Sequence, residues 1–472
     1  MKIPKLFSDN MVLQRDIKVP VWGWAEPSGI VEVRFNGQTK ETIVDKTGKW
    51  LIMLDPMRSG GPFEMMVSGE HEILFKNVML GDVWVCGGQS NMALPLSAAT
   101  NAKEEIAAAN YPDIRLYSCP TFTTQLPLED FPGKGKPWRA CTPATVRGFS
   151  AVGYFFGRNL FQEFNIPIGL INSSCGGTAI ELWMSKECLR KEPEAKPVID
   201  IFEKACFKYP VGPVMLNKGQ LLNGLFDALN GLYNGMINPI MPFAIKGVIW
   251  YQGEANAERA YPYRKLLPLM IKCWRENWGQ GNFPFLLVQL ANLGAPPAEP
   301  ASVTRQSCWS ELREAQLLAA ENVSNCGMAV TIDVGEAGDL HPPNKQDVGA
   351  RLAIAARKVA YGQDIVHSGP VYREMKKSGN KIILKFKNVG GGLVARGGRL
   401  KHFAIAAKDK NFVWADAVIQ QNTVVVSSNM VNEPVAVRYA WAGNPEGCNL
   451  YNEESLPATP FRTDDWPGSK CL

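Results

Sequence analysis

Histidine is scarce in this chain of 472 residues, with four in all. They stand at 71, 341, 367 and 402, so a reaction that needs an imidazole base has few suppliers. Long hydrophobic runs are missing too. A bilayer-spanning helix takes roughly 20 apolar residues in a row, and no stretch of the sequence offers them. Neither sign of charge dominates: 50 Lys and Arg against 45 Asp and Glu leave a formal charge of +5, scattered along the chain. That gives no reason to expect nucleic acid or an anionic membrane as partner. The 11 cysteines form no CxxC pair, which leaves no zinc-site spacing. Cys86, Cys175 and Cys326 lie in apolar or glycine-rich surroundings and read as free thiols. Met1–Asn10 holds no apolar core of a signal peptide.

What is present is ordinary for a globular protein: 46% hydrophobic and 20% charged residues. The length suggests roughly two to four domains. Residues 1–80 read as a small β domain. Val19–Trp24, Ile30–Phe35, Trp50–Leu54, Met65–Val67 and Ile73–Phe75 are short strands, with a hairpin at Asn36-Gly37. From 81 to 362 strands alternate with amphipathic helices. Ser150 caps a helix to Phe164, Tyr263–Trp278 and Trp309–Ala320 are helical, and Asn344 caps another from Lys345 to Ala360. Between them lie apolar runs at 166–171, 244–250, 283–290 and 328–332. This alternation implies an α/β domain on a parallel sheet covered on both faces. Residues 120–145 and 187–225 read as insertions or loops. Residues 363–472 return to short strands, with 442–472 unassigned.

Gly81-Asp-Val-Trp-Val-Cys-Gly-Gly-Gln-Ser-Asn-Met92 organises the rest. Val83–Cys86 has the continuous apolarity of a doubly buried strand, and Gly87-Gly88 breaks it just before Ser90. Open α/β sheets place their sites at that carboxyl edge. By itself a Gly-x-Ser turn is only a turn; later stretches raise its weight. A serine nucleophile needs a base, and His341 lies in Gly338-Asp-Leu-His-Pro-Pro343, a loop following a strand of the same sheet. Asp339 stands two residues before it, with Asp333, Glu254 or a backbone carbonyl as other groups that could orient the ring. An oxyanion hole needs converging N–H donors. The Ser90 amide, Gly176-Gly177 and Gln252 each follow an apolar strand.

Gly88-Gln-Ser-Asn-Met92, Trp250-Tyr-Gln-Gly-Glu254 and Asp339-Leu-His-Pro342 together resemble the signature blocks of the sialate O-acetylesterase family, a branch of the SGNH-type hydrolases. Phe7–Gln14, Ile171–Thr178 and Val348–Leu352 fit the same pattern, so the resemblance covers nearly the whole chain. It implies a flavodoxin-like α/β/α hydrolase domain flanked by β-sandwich-like modules, with Ser90 as nucleophile and His341 as base. It implies an oxyanion hole from the Ser90 and Gly177 amides and the Gln252 side chain, with Glu254 in support. The SGNH pattern has Asp three residues before His, whereas here that place is Gly338 and the acid is Asp339, so the third triad member stays open. Family members are commonly exported, which makes secretion or the periplasm the expectation and the cytoplasm the alternative.

The expected function is a serine carbohydrate esterase that takes O-acetyl groups from sialic acids, without metal or other cofactor. Other acetylated glycans such as xylan are the alternative substrates. Arg115, Arg259 and Arg264 are the arginines to weigh against a sialate carboxylate, each reading first as a solvated surface charge. A different class is an inactive glycan-binding protein whose Trp22, Trp24, Trp50 and Trp414 stack on sugars, although these read first as β core. A lipid esterase is a third class. The oligomeric state is open.

Overall fold

The computed structural model describes residues 1–133, 137–197, 199–200, 212–215, 229–300 and 305–466. Much of the 187–225 insertion therefore lies outside the described residues. The chain divides into two compact units, Met1–Trp250 with Leu269–Phe285, and Tyr251–Pro268 with Leu286–Leu472.

The first unit opens with β structure, as read. Ile30–Phe35 turns through Asn36 and Gly37, at φ 45° and 77°, into Gln38–Ile43, the positive pair that a two-residue hairpin requires. Gly60–Ser68 pairs with Ile30–Phe35 and then with Glu72–Gly88. Val19–Trp24 and Lys49–Leu54 make a separate antiparallel pair. Lys49–Leu54 alternates, with Trp50, Ile52 and Leu54 turned to the core.

Glu72–Gly88 is one strand of 17 residues. Exposed and buried residues mix over its first part, and from Val78 onward every residue is buried. The change marks the passage from a one-sided antiparallel sheet to a parallel sheet covered on both faces. In that second sheet the order is Arg139–Cys141, Tyr111–Ser118, Ile168–Ser174, Glu72–Gly88, Gly247–Tyr251. Ile168–Ser174 runs parallel to both of its neighbours. Sequence periodicity misses Tyr111–Ser118, because Asp113 and Arg115 interrupt its apolar residues. Arg115 also corrects the surface reading. It is 3% exposed, donating to the Pro112 carbonyl at 2.6 Å and to Asn77 Oδ1 at 3.2 Å.

The opening Phe7–Gln14 block braces this strand. Asp82 is fully buried. Arg15 donates to its two oxygens through Nε and Nη2, each at 3.0 Å, and Gln14 Nε2 adds a third bond at 3.0 Å. Gln14 Oε1 in turn accepts the Val83 amide at 2.9 Å. A carboxylate taken out of water is tolerable only when paired and hydrogen-bonded in this way. The Ala151–Phe164 helix forms as expected, capped by Ser150, which accepts from the Gly153 amide, and ended at Asn165 with φ 48°. Phe156 of this helix meets Trp84 edge to face at 5.0 Å.

In the second unit Phe285–Val288 and Cys326–Ala329 are neighbouring strands, and the helices Arg305–Asn322 and Lys345–Val359 pack on the latter. Arg313 is fully buried. Its guanidinium donates to the carbonyls of Leu290, Ala291, Ala442 and Gly443 at 2.7–2.8 Å. The fork geometry of arginine suits one side chain to four such acceptors. Two four-stranded antiparallel sheets follow. One holds Val371–Ser378, Lys381–Lys387, Thr423–Ser427 and Asp416–Gln420; the other holds Phe412–Trp414, Phe403–Ala406, Ala436–Tyr439 and Phe461–Arg462. Part of the unassigned tail is thus strand. The protein is of the α/β class: parallel strands with helices, together with separate antiparallel sheets. Among the described residues eight cysteines are free thiols, Cys86 and Cys175 buried and Cys326 half-buried, whereas Cys308 is disulfide-bonded.

Candidate active site

In the first unit Ser90 lies just past the end of the Glu72–Gly88 strand, at the start of a single turn of helix, Ser90–Ala93. Gly87 is needed for close packing: a Cβ there would come within 2.9 Å of the Trp250 ring. Gly88 is needed for its backbone, at φ 131°. Trp250 is itself held edge-on by Trp183 at 5.7 Å and Trp274 at 5.6 Å. Gln89, Asn91 and Met92 are buried while Ser90 keeps partial exposure, so the turn presents the one hydroxyl.

The second glycine loop meets it. In the parallel register Ser174 stands opposite Gly88, and the Cys175 amide donates to the Gly88 carbonyl at 3.0 Å. A Cβ on Gly176 would lie 3.3 Å from Ser90 Cβ, and Gly177 has φ 72°. Thr178 Oγ1 donates to the Cys175 carbonyl at 2.7 Å and accepts from Trp183 Nε1 at 3.0 Å, which closes the loop on itself. The structure thus brings Ser90 together with Gly176-Gly177.

The second unit gathers Gln252, Glu254, Asp339, His341 and one residue the sequence reading overlooked. Gln252 is fully buried. Its Oε1 accepts from Tyr263 Oη at 2.9 Å, its Nε2 donates to Asn256 Oδ1 at 2.8 Å, and its backbone carbonyl accepts from Gln316 Nε2 at 3.1 Å. The amide orientation is therefore fixed, with the nitrogen as donor. Gly253 follows at φ 156°, where a Cβ would collide with Leu312 at 2.5 Å.

His341 is partly exposed. Its backbone N–H donates to Asp339 Oδ1 at 2.7 Å, so this carboxylate braces the loop that carries the imidazole. Asp333 is committed elsewhere: Arg351 holds both of its oxygens at 2.6 and 2.7 Å, and Tyr451 Oη donates to it at 2.9 Å. The overlooked residue is Lys345. It is fully buried, with Nζ over the Tyr251 ring at 5.4 Å. Burial pushes its pKa down to about 8, while the negative charges of Glu254 and Asp339 pull the other way. The signal was in the sequence, since Lys345 shares helical spacing with Val348, Gly349 and Leu352 on the buried face.

The remaining histidines are placed differently. His71 is exposed beside the Glu72–Gly88 strand. His402 Nε2 is hydrogen-bonded to the Glu446 carbonyl at 2.6 Å. His367 lies in a connector, with burial lowering its pKa. Of the tryptophans weighed for sugar stacking, Trp50 is core at 4% exposed and Trp22 packs edge-on to Phe7 at 4.9 Å. Trp24 donates to Glu129 Oε2, and Trp414, 41% exposed, donates to the Ala298 carbonyl. Among the described residues no group of three or more His, Cys, Asp or Glu could hold a metal, and no helix is long and apolar enough to cross a membrane.

Comparison with known proteins decides the family. Residues 80–358 match the family model described as a carbohydrate esterase, sialic acid-specific acetylesterase. The chain belongs to this family. Every residue weighed above for the reaction, from Ser90 to His341, falls inside the matched segment. The human sialate O-acetylesterase is 31% identical, with 98% of this chain and 92% of that protein covered. The mouse sialate O-acetylesterase is 30% identical over 96% of this chain and 93% of its own length. Among solved structures, a carbohydrate acetylesterase from Xanthomonas citri is similar at a TM-score of 0.87 and 41% identity, with 98% of this chain and all of that one covered. The esterase fold expected from the signature blocks agrees with this relative.

Proposed function

We propose that the protein is a serine esterase that removes O-acetyl groups from sialic acids through an acyl-enzyme. The observation that carries the reading is the placement of Ser90: partly exposed, past a fully buried strand end, with the Gly176-Gly177 loop against its Cβ. The likeness to mammalian sialate O-acetylesterases over nearly the whole chain supports the substrate class.

In this mechanism Ser90 Oγ attacks the acetyl carbonyl carbon and its proton passes to the His341 imidazole. The carbonyl oxygen becomes an oxyanion that accepts from the Ser90 and Gly177 amides and from Gln252 Nε2. That nitrogen is oriented by its donation to Asn256 Oδ1 at 2.8 Å. Collapse breaks the bond to the sugar oxygen, which takes the proton back from His341. Water then repeats the sequence on the acyl-enzyme and releases acetate. Asp339 acts on the loop, holding the His341 backbone. Glu254 supports from beside Lys345.

A second reading, other acetylated glycans, is supported by the similar acetylesterase from X. citri. The test is acetate release from 9-O-acetylated sialic acid and from acetylated xylan, with wild type beside Ser90→Ala. Release from the sialic acid that falls about 10⁴-fold or more in the variant is expected. Release from xylan alone overturns the sialate reading, and an active Ser90→Ala overturns the nucleophile.

A further inference from the structure

Cys188 and Cys273 stand far apart in the sequence and meet in the first unit. Cys188 lies on the single helical turn Lys186–Leu189, and Cys273 on the Ala260–Trp278 helix. Both are free thiols, Cys188 at 4% exposed and Cys273 fully buried. We propose that they form an oxidation site, in which hydrogen peroxide converts the two thiols into a disulfide that ties the turn to the helix. The proposal goes beyond the esterase reading and does not depend on its substrate.

Three observations lead to this pair. First, the thiols are in contact. The Cys188 thiol donates a hydrogen bond to the Cys273 sulfur. One hydroxyl also bridges the two residues: Ser185 Oγ accepts the Cys188 amide at 3.2 Å and lies 3.5 Å from Cys273 Sγ. Second, Cys273 sits where a thiolate is favoured. Asn277 Nδ2 donates to its sulfur at 3.4 Å, and the hydrogen bond from Cys188, against the penalty of burial, holds its pKa below the ordinary thiol value. Cys175 shows the contrast, since burial pushes it up to about 12. A low-pKa thiol beside a second one is the arrangement that peroxide turns into a disulfide. Third, the pair lies close to water. Lys191 and Glu276, both exposed, approach to 4.0 Å across the same two segments, and their charges act on Cys188 and Cys273 respectively. Hydrogen peroxide is little larger than water and enters from this edge.

In the reaction the Cys273 thiolate attacks one peroxide oxygen, the O–O bond breaks, and hydroxide leaves with the proton that the thiol gave up. The Cys188 sulfur then attacks the resulting sulfenic acid, whose S–O bond breaks as its oxygen departs with the Cys188 proton. Two thiols are oxidised to a disulfide and one peroxide is reduced to water. The link falls at a joint already present. Trp274 Nε1 donates to the Trp183 carbonyl at 2.8 Å, and these two indoles hold Trp250 against Gly87. The disulfide therefore fastens the clamp beneath the nucleophile strand.

The test treats the full chain with hydrogen peroxide, blocks remaining thiols, digests without reductant and reads the peptides by mass spectrometry. Sulfoxide at Met430, 78% exposed, serves as the dose marker. The Cys188 and Cys273 peptides should appear as one linked pair, and the thermal midpoint should rise by about 3 °C or more. In Cys188→Ala, dimedone should trap Cys273 as the sulfenic acid, and in Cys273→Ala the Cys188 thiol should stay unlabelled. Separate, unlinked peptides at a dose that oxidises Met430 in folded wild type overturn the site. Labelling of Cys188 in folded Cys273→Ala as fast as that of Cys273 in Cys188→Ala overturns the order of attack. A linked pair with an unchanged or lower midpoint overturns the fastening of the clamp.

Discussion

Around Ser90 the placing contacts are glycine against tryptophan and glycine against serine: Gly87 beneath Trp250, and Gly176 against Ser90 Cβ. Around Gln252 they are hydrogen bonds accepted from a phenol and an amide and one donated to a second amide, with a buried lysine close to the neighbouring Glu254. Both residues follow a buried strand; close packing stands out around the first, beside the Cys175–Gly88 backbone hydrogen bond, and side-chain hydrogen bonding around the second. Contacts of the first kind are short-range and indifferent to pH, and they punish added volume. Contacts of the second kind tolerate small shape changes, and they punish a lost partner or an altered charge. The nucleophile side should therefore respond to sterics and the Gln252 side to chemistry.

The sharpest way to break this contrast is Gln252→Ala. If the amide donates to the oxyanion, turnover of p-nitrophenyl acetate falls about a hundred- to a thousandfold. A fall of less than about threefold would take Gln252 out of the mechanism and leave its network a purely structural one. Next in size is Arg15→Ala, which removes two hydrogen bonds from the buried Asp82 carboxylate of the first unit. Stability should drop by about 3 kcal/mol, read from the denaturant midpoint at constant m. A loss below about 1 kcal/mol would mean that packing alone seats the strand.

The smallest effect concerns pH. Lys345 has a folded pKa of about 8 against an ordinary value of 10.5, so between these values the unfolded chain binds more protons than the folded one. Stability from this group therefore rises with pH, opposite to a salt-bridged lysine. Its burial penalty is complete below pH 8 and is relieved by about 2 kcal/mol between pH 8 and pH 10. The difference in unfolding free energy between wild type and Lys345→Met, measured across that range, should follow this slope. A flat difference would show that Glu254 and Asp339 keep the ammonium charged throughout.

What was legible in the sequence follows from the same contrast. The Ser90 turn could be read because its causes are local: an apolar run, two glycines and a serine in adjacent positions. The Gln252 segment and the His341 loop could be read as motifs after strands. The hydrogen bond from the His341 backbone to Asp339 could not, because two-residue spacing admits either the ring or the main chain as partner. The pairing of Cys188 with Cys273 was illegible because the two lie far apart in the sequence, brought together by tertiary contacts such as that of Trp274 with Trp183. Tyr111–Ser118 was missed because a buried arginine breaks the apolar pattern that marks a central strand.

The long Glu72–Gly88 strand has a mechanical consequence. At about 3.3 Å per residue it is a rod on the order of 50 Å long, with an antiparallel β-sheet gripping one end and the nucleophile mounted at the other. The N-terminal β structure is therefore no appendage that could be trimmed away. Cutting the chain near residue 80 would sever the rod, and the serine would lose its anchorage although every residue named in the chemistry was still present.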